Sequence, residues 1–206
     1  MGYGPKEINP NYSFLMSADD GEETVFVTND GRLLCLNGEK GVKVWEDNWM
    51  HDSGAPENTN YRLSIDKFHN IWVVNETYAF VRLHKEKAWK SLVQLIREYQ
   101  VENVPQPLMI WDVKIDDRGR IWCATDHEGL LVFDLRHHAM RQFMNNKFDE
   151  SSISDNTLRT VYLDRDGLIW IGTYKNGVNM YKEGSRSMHN LELGDINAVA
   201  EDNYGK

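Results

Sequence analysis

The side chains whose types and spacing could carry chemistry occur in short polar stretches of this 206-residue chain. Two stretches place a histidine beside carboxylates, His51-Asp52 and Asp126-His127-Glu128, a combination that is used in general acid–base catalysis and in metal binding. The sequence has no HExxH, G-x-S-x-G, P-loop or paired CxxC motif. We therefore interpret both stretches as polar loops, and predict no catalytic residue, no metal site and no cofactor.

A second set of residues combines aromatic rings with hydrogen-bonding groups. Its members are Trp111, Arg159, Tyr174, Lys175, Asn176, Asp126, His127 and Glu128. Aromatic faces flanked by Arg, amide and carboxylate groups suit a polyhydroxylated ligand, because stacking and several hydrogen bonds are offered together. The set is a candidate ligand-binding site only if the fold brings its members together.

Composition excludes several classes of function. The net charge is −9 and no stripe of Lys and Arg stands out, so nucleic acid is not expected as a partner. No apolar run approaches the ~18 residues of a membrane span, and residues 1–14 lack the basic start and apolar core of a signal peptide. Cys35 and Cys123 lie in apolar, strand-like runs and are predicted to be buried free thiols.

A ten-residue motif that occurs twice indicates the structural elements that would position the candidate site. DDRGRIWCAT at 116–125 and DRDGLIWIGT at 164–173 share Asp, Gly, Ile-Trp and Thr at the same places. The anchor pairs, each six residues apart, are Asp20–Phe26, Asp66–Trp72, Asp116–Trp122 and Asp164–Trp170. Successive anchor aspartates are 46, 50 and 48 residues apart, so the chain is built from repeats of about 50 residues.

Each repeat contains an apolar alternation, a D-x-x-G turn, an apolar run around Trp and a further apolar segment after Gly. Three to four short strands per roughly 50 residues indicate a β-propeller blade. The sequence predicts one all-β domain over 1–206, with about four blades of four antiparallel strands and the leading strand of a fifth. The predicted repeats are 14–49, 61–104, 110–147, 158–190 and, in part, 196–206.

The phrase itself is interpreted as a device for turning and packing the chain. Asp at the start of a tight turn accepts a hydrogen bond from the backbone N–H two residues on, and Gly supplies a positive φ. The Trp strand is apolar on both faces and would wedge between neighbouring blades, and Gly172 fits a close backbone approach or a bulge. The predicted structural residues are Asp66, Trp72, Asp116, Gly119, Trp122, Asp164, Gly167, Trp170 and Gly172.

Two segments depart from the repeat. In 85–103, Trp89, Leu92, Val93, Ile96 and Tyr99 form an apolar stripe at helical spacing, which predicts a short helical insertion that packs on the propeller or docks a partner. Residues 47–60 are rich in turn formers and are predicted to form an exposed loop.

The sequence DRDGLIWIGTYKNGVNMY, preceded by SSISDNTLRTVYL, strongly resembles the repeat of the two-component regulator propeller family. MIWDVKIDDRGRIWCATDHEGLLVFD is similar to the same repeat, whereas the copies at 61–83 and 14–36 are degenerate. In that family, such repeats form propellers in the periplasmic sensor region of hybrid histidine kinases, notably in gut Bacteroidetes, and the sensed ligands are commonly oligosaccharide breakdown products.

The resemblance implies a non-enzymatic, ligand-sensing chain in the periplasm, whose partners are an oligosaccharide, the remaining blades and the kinase portion of a parent protein. A homodimer is a further option. Two alternatives stay open: a propeller enzyme, either a lyase or a hydrolase, and a structural or dimerisation module. Because the fifth repeat stops after its turn, the chain is expected to be part of a larger propeller rather than a small closed ring.

Overall fold

The computed structural model describes residues 13–19, 23–37, 42–53, 61–75, 78–185 and 187–200. These residues form four antiparallel sheets of four strands each, which confirms the all-β prediction. The chain divides into two compact units, residues 1–91 and 92–206, and each unit contributes two of the sheets. The repeat anchors Asp20 and Asp202, the stretch 54–60 and the end of the fifth repeat lie outside the described residues.

The first unit holds sheets 1 and 2, in which each strand pairs with the next along the chain. Sheet 1 contains β1 (Phe14–Asp19), β2 (Thr24–Thr28), β3 (Leu33–Asn37) and β4 (Val42–Asp47). Sheet 2 contains β5 (Tyr61–Ile65), β6 (Ile71–Asn75), β7 (Tyr78–Leu83) and β8 (Ala88–Ser91). The inner strands β1 and β5 are in contact, and buried residues of both sheets form one core that includes Val25, Val27, Leu33, Leu63 and Val73.

The second unit repeats this arrangement in sheets 3 and 4. Sheet 3 contains β9 (Ile110–Ile115), β10 (Ile121–Thr125), β11 (Leu130–Asp134) and β12 (Ala139–Phe143). Sheet 4 contains β13 (Leu158–Leu163), β14 (Leu168–Thr173), β15 (Val178–Lys182) and β16 (His189–Leu191). The core between them includes Trp122 and Leu130 of sheet 3 with Val161 and Ile171 of sheet 4, and burying each such side chain contributes about 1.5–3 kcal/mol.

The six-residue spacing of Asp and Trp follows from a shared hydrogen-bond pattern. In sheet 4, Asp164 Oδ1 accepts from the backbone N–H groups of Asp166 and Leu168 at 3.0 and 2.8 Å, and Oδ2 accepts from Trp170 Nε1 at 2.7 Å. Asp116 accepts from Trp122 Nε1 at 3.0 Å in sheet 3. The same carboxylate therefore closes the turn and satisfies the indole of the following strand.

Sheet 2 uses the same pattern with one change in the turn. Asp66 accepts from the backbone N–H groups of Phe68 and Asn70 and, at 2.9 Å, from Trp72 Nε1. His69 replaces the turn glycine and has a φ of 60°, close to the 79° and 76° of Gly119 and Gly167. A residue with a Cβ pays for this left-handed conformation, which explains why two of the three repeats carry glycine there.

The helical insertion predicted over 85–103 is shorter than expected. Helix α2 spans only Leu92–Glu98 and buries Leu92, Leu95 and Ile96. The preceding residues complete sheet 2, because Trp89 lies on β8 opposite Arg82 of β7. Trp89 has the spacing of the predicted apolar stripe but lies on a strand, so the prediction of a helix over 85–91 is wrong.

The predicted exposed loop at 47–60 is also partly wrong. Helix α1 spans Trp49–Asp52, and Met50 within it is 3% exposed and belongs to the core of the first unit. Cys35 and Cys123 are both buried free thiols, as predicted. Neither helix within the described ranges is long and apolar enough to cross a membrane.

Candidate functional site

One edge of sheets 3 and 4 collects the loops that precede the inner strands and the loops that join the second and third strands. The backbone N–H of Asp126 donates to Met109 O at 3.0 Å, and the N–H of Tyr174 donates to Thr157 O at 2.9 Å. We call this the loop edge of the second unit. It brings the 126–128 and 174–176 loops beside the starts of β9 and β13, where Trp111 and Arg159 lie.

Trp111 and Arg159 are the extra residues of two β-bulges. Ile110 pairs with Thr125 and Asp112 with Ala124, so Trp111 is left without a direct partner on β10. Arg159 is the equivalent residue between Leu158 and Thr160 on β13. A bulge redirects the side chain that it inserts and is common beside functional sites, and here two bulges on neighbouring inner strands present an aromatic ring and a cation.

The two bulged side chains meet Tyr174 in a stack. The guanidinium carbon of Arg159 lies 4.0 Å from the ring centroid of Trp111 and 4.6 Å from the ring centroid of Tyr174. Both distances are within the range of favourable cation–π contacts. We refer to Trp111, Arg159 and Tyr174 as the Arg159 stack. Trp111 Nε1 is buried without a hydrogen-bond partner among the described residues, a condition that costs about 1–3 kcal/mol.

A buried carboxylate holds the two bulges in register. Asp112, which follows Trp111, is 3% exposed. Its Oδ2 accepts from Thr160 Oγ1 at 2.8 Å and from the N–H of Val161 at 3.1 Å, so β9 is bonded to β13 directly beside Arg159. Burial, and secondarily the negative charge of Asp112, raises the pKa of the Cys123 thiol, which keeps this buried sulfur protonated and unreactive.

Gly172 lies on β14 opposite the second bulge, where it pairs with Thr160. The sequence predicts a close backbone approach or a bulge here, and the strand opposite, β13, bulges between Leu158 and Thr160. A Cβ at Gly172 would lie 2.7 Å from side-chain carbons of both Ile196 and Thr160, rather than against another backbone. The absence of a side chain lets Ile196, the first apolar residue of the partial fifth repeat, pack onto sheet 4.

A polar groove of about 590 Å³ continues from the stack. Its lining residues are Asn145, Lys147, Ser154, Lys175, Asn176, Asn190, Glu192 and Gly194. Lys175 joins the groove to the stack, because its Nζ lies 5.0 Å from the ring centroid of Tyr174. The volume is in the range of small-molecule sites, and its amide, hydroxyl and charged groups can exchange hydrogen bonds with a polyhydroxylated ligand.

Sequence reasoning missed the groove residues outside 174–176. Asn145 and Lys147 lie between sheets 3 and 4 in a polar linker, and Asn190 lies on the short outer strand β16. Phe148 in the same linker is 99% exposed. Polar linkers occur in every repeat, so no local signal distinguishes these residues from ordinary loop residues.

The 126–128 loop is only partly directed toward the stack. His127 Nδ1 lies 3.2 Å from Thr157 Oγ1, next to the start of β13, and its Nε2 lies 3.6 Å from Asp126. Glu128 instead accepts from Gln142 Nε2 on the outer strand β12 at 3.1 Å. The fold therefore brings Trp111, Arg159, Tyr174 and Lys175 together and leaves Glu128 aside.

Asn176 forms hydrogen bonds that hold its own loop in place. Its backbone N–H donates to Thr173 Oγ1 at 2.8 Å, and its Nδ2 donates to Asp155 Oδ2 at 3.1 Å.

Within the part of the chain that the structure describes, no group of three or more His, Cys, Asp or Glu side chains is arranged to hold a metal ion.

Comparison with known proteins identifies the repeat that contains two of the three residues of the stack, Arg159 and Tyr174. Residues 152–175 match the family described as "Two component regulator propeller". Residues 152–175 are therefore similar to one copy of that propeller repeat. No curated protein matches the chain in sequence.

Solved structures extend the likeness in fold to nearly the whole chain. The extracellular domain of the hybrid two component system BT3049 from B. thetaiotaomicron matches 97% of this chain with a TM-score of 0.67 and 16% identity. The extracellular domain of the hybrid two component system BT4673 from the same organism matches 91% with a TM-score of 0.55 and 16% identity. The chain covers 27% and 30% of those two domains, so it corresponds to part of a propeller-containing domain.

The matched propeller repeat contains both structural and candidate binding residues. It runs from the lead-in at Ser152 through the Asp164–Trp170 turn to Lys175. Arg159, Tyr174 and Lys175 thus lie within the repeat, while Trp111 comes from the equivalent position of the preceding one. The repeated residues form the turn and the strands, whereas the side chains at the positions of Arg159, Tyr174 and Lys175 differ from one blade to another.

Proposed function

We propose that this chain is the propeller portion of the extracytoplasmic sensor domain of a hybrid two-component sensor histidine kinase and response regulator, and that it binds a carbohydrate-derived ligand without converting it. The propeller repeat and the fold shared with extracellular domains of hybrid two component systems support the sensor role. In this proposal the chain lies in the periplasm, and its partners are the remaining blades and the kinase portion of the parent protein.

The observation that carries ligand binding is the Arg159 stack with its adjoining groove. Aromatic rings on rigid strands can stack on sugar faces at low entropic cost, since their own positions are fixed. Two inner strands bonded through Asp112 provide that rigidity. Loops on such a scaffold are the usual place for recognition.

Isothermal titration of the purified chain with a panel of neutral and acidic oligosaccharides tests this proposal. We expect saturable binding to at least one glycan, with an affinity that falls about tenfold in Tyr174→Ala because a stacking ring is lost. Tyr99→Ala is the matched control, because Tyr99 and Tyr174 are 41% and 40% exposed in the same unit. Tyr99→Ala should bind as the wild type does.

Reducing-end analysis of each bound glycan after prolonged incubation separates a sensor from an enzyme. We expect no new reducing ends and no unsaturated products. Release of shortened sugars would favour the propeller enzyme, and absence of binding across the panel would contradict ligand sensing by this chain.

A further inference from the structure

The Arg159 stack carries an inference about the charge of the ligand. We propose that the site selects an anionic sugar, one that bears a carboxylate or a sulfate, and that Arg159 and Lys175 receive that group. This inference rests on the proposed function and makes it more specific. It follows from how the guanidinium is held, from the neighbouring cation and from the partners of the nearby carboxylates.

The Arg159 guanidinium contacts two rings but no hydrogen-bond acceptor among the described residues. Arg159 lies over both Trp111 and Tyr174, at 4.0 and 4.6 Å from their centroids. The five N–H donors of a guanidinium lie in its plane, and no acceptor hydrogen-bonded to them is found among the described residues. Among the described residues, no carboxylate forms an ion pair with Arg159. The planar fork of donors of a guanidinium matches the geometry of a carboxylate or sulfate.

A second cation lies close by. Lys175 Nζ is 5.0 Å from the centroid of Tyr174, so both cations contact the same ring. Lys175 also lines the groove with Lys147, while Glu192 is the one carboxylate among the groove residues. The chain as a whole has a net charge of −9, so the attraction for an anion is local to this edge rather than general.

The carboxylates nearest to the stack are engaged elsewhere. Asp112 accepts from Thr160 and Val161, and Asp155 accepts from the N–H of Thr157 and from Asn176. Asp126 lies 3.6 Å from His127 Nε2, and Glu128 accepts from the side chain of Gln142. These partners hold Asp112 on β9 and the other three carboxylates in the loops, and none of the four forms an ion pair with Arg159.

The test compares matched charged and neutral sugars on the purified chain. Trigalacturonic acid is titrated beside its fully methyl-esterified form, and N-acetylglucosamine 6-sulfate beside N-acetylglucosamine. We expect the charged member of at least one pair to bind about tenfold tighter or more, and the pair that shows this preference tells carboxylate from sulfate. That preference should shrink as NaCl is raised, because the contact is ionic and partly exposed.

Variants assign the preference to Arg159. Arg159→Gln should remove most of the preference, while Arg159→Lys should retain more of it because the charge remains but the planar fork is lost. Arg136→Gln is the control, since Arg136 is exposed in the 3-10 turn that follows β11 at the opposite end of sheet 3. Circular dichroism verifies that each variant is folded.

The outcomes separate this inference from the function on which it rests. Equal affinity for charged and neutral sugars, or a preference as large in Arg159→Gln as in the wild type, overturns the inference and leaves carbohydrate sensing in place. Absence of binding to all four sugars and to the wider glycan panel overturns the proposed function as well. Salt dependence is measured on the wild type, so it decides the point even if a variant fails to fold.

Discussion

The two units join their inner strands at the same position with different atoms. In the first unit, the N–H of Leu63 on β5 donates to the thioether sulfur of Met16 on β1 at 3.2 Å. In the second unit, the N–H of Val161 on β13 donates to the carboxylate of Asp112 on β9, which also accepts from Thr160 Oγ1. A thioether is a weak acceptor, whereas a buried carboxylate that accepts several bonds is strong.

The stronger acceptor, Asp112, lies in the unit that contains the candidate site. Both inner strands of the second unit carry a bulge, at Trp111 and Arg159, and Asp112 and Thr160 are the residues that follow those bulges. In the first unit β1 also bulges, between Phe14 and Met16, but β5 pairs with β6 in continuous register, so only one inner strand is bulged there among the described residues. The second unit therefore combines redirected side chains with a charged bond that fixes them, which is what a preorganised binding site requires.

Replacing the inter-strand carboxylate should have the largest effect. We expect Asp112→Ala to lower the free energy of unfolding by about 3 kcal/mol, because the Val161 N–H and the Thr160 hydroxyl would be buried without an acceptor. Met16→Leu, the matched change in the first unit, should cost less than about 1.5 kcal/mol because its volume is similar and the lost acceptor is weak. Urea unfolding measures both, and equal costs would contradict the comparison.

The two units also differ in the residue that comes directly before the third strand of a sheet. It is Arg32 in sheet 1 but Gly129 and Gly177 in sheets 3 and 4, both with positive φ. A Cβ at Gly129 would lie 2.1 Å from Phe143 O on the outer strand, so that edge is held closely together.

Gly129→Ala should therefore cost about 2–3 kcal/mol, as overpacking against backbone does. Gly167→Ala is the control, because Gly167 has a φ of +76° but no atom within 4 Å of the added Cβ. Its cost should be about 1 kcal/mol, from the conformation alone. Thermal unfolding of both variants measures the difference, and a cost at Gly167 equal to that at Gly129 would show that packing is not the cause.

The turn carboxylate of sheet 3 should give a smaller, pH-dependent effect. Burial acts to raise the pKa of Asp116, but bonds from Trp122 and from the backbone and guanidinium of Arg120 outweigh it and lower the pKa from the ordinary 3.8. In sheet 2 the corresponding partner of Asp66 is the neutral amide of Asn70. A depressed pKa means that the stabilisation is present above pH 3.8 and is lost as the pH falls below it.

Asp116→Asn should therefore destabilise the protein by about 1 kcal/mol near neutral pH and progressively less below pH ~4. The measurement is urea unfolding of wild type and variant across that range. Arg120 also pairs with Glu183, whose pKa it lowers, so some acid sensitivity should remain in the variant. A gap that widens on acidification would contradict the assigned direction of the pKa shift.

Much of the fold is predictable from the sequence because a propeller blade is a local structure. Every strand of the four sheets pairs with a chain neighbour, so the alternation, the D-x-x-G turns and the recurrence of Trp predict the sheets. The bond from the Asp carboxylate to the Trp indole was not predicted, although the constant spacing of six residues was visible. It depends on a side-chain geometry that becomes clear only once the hairpin is formed.

The candidate site was predictable in part. Trp111, Arg159 and Tyr174 were selected because propeller loops converge, and the structure brings these three together. The bulges were not predicted, because each one is a one-residue shift in the pairing of a strand with its neighbour, which the sequence of a single strand does not show. The bond between Asp112 and Thr160 joins residues 48 positions apart, and no local pattern reports a contact between neighbouring sheets.

Nuclear magnetic resonance of the side-chain N–H groups tests the central claim most directly, that ligand binds at the Arg159 stack. The Arg159 Nε and Trp111 Nε1 signals, assigned from Arg159→Lys and Trp111→Phe, are followed while the tightest glycan of the panel is added. We predict that both signals shift and saturate together with the binding measured by calorimetry, while Trp49 Nε1 stays unchanged. Saturable binding that leaves both stack signals in place would contradict the account.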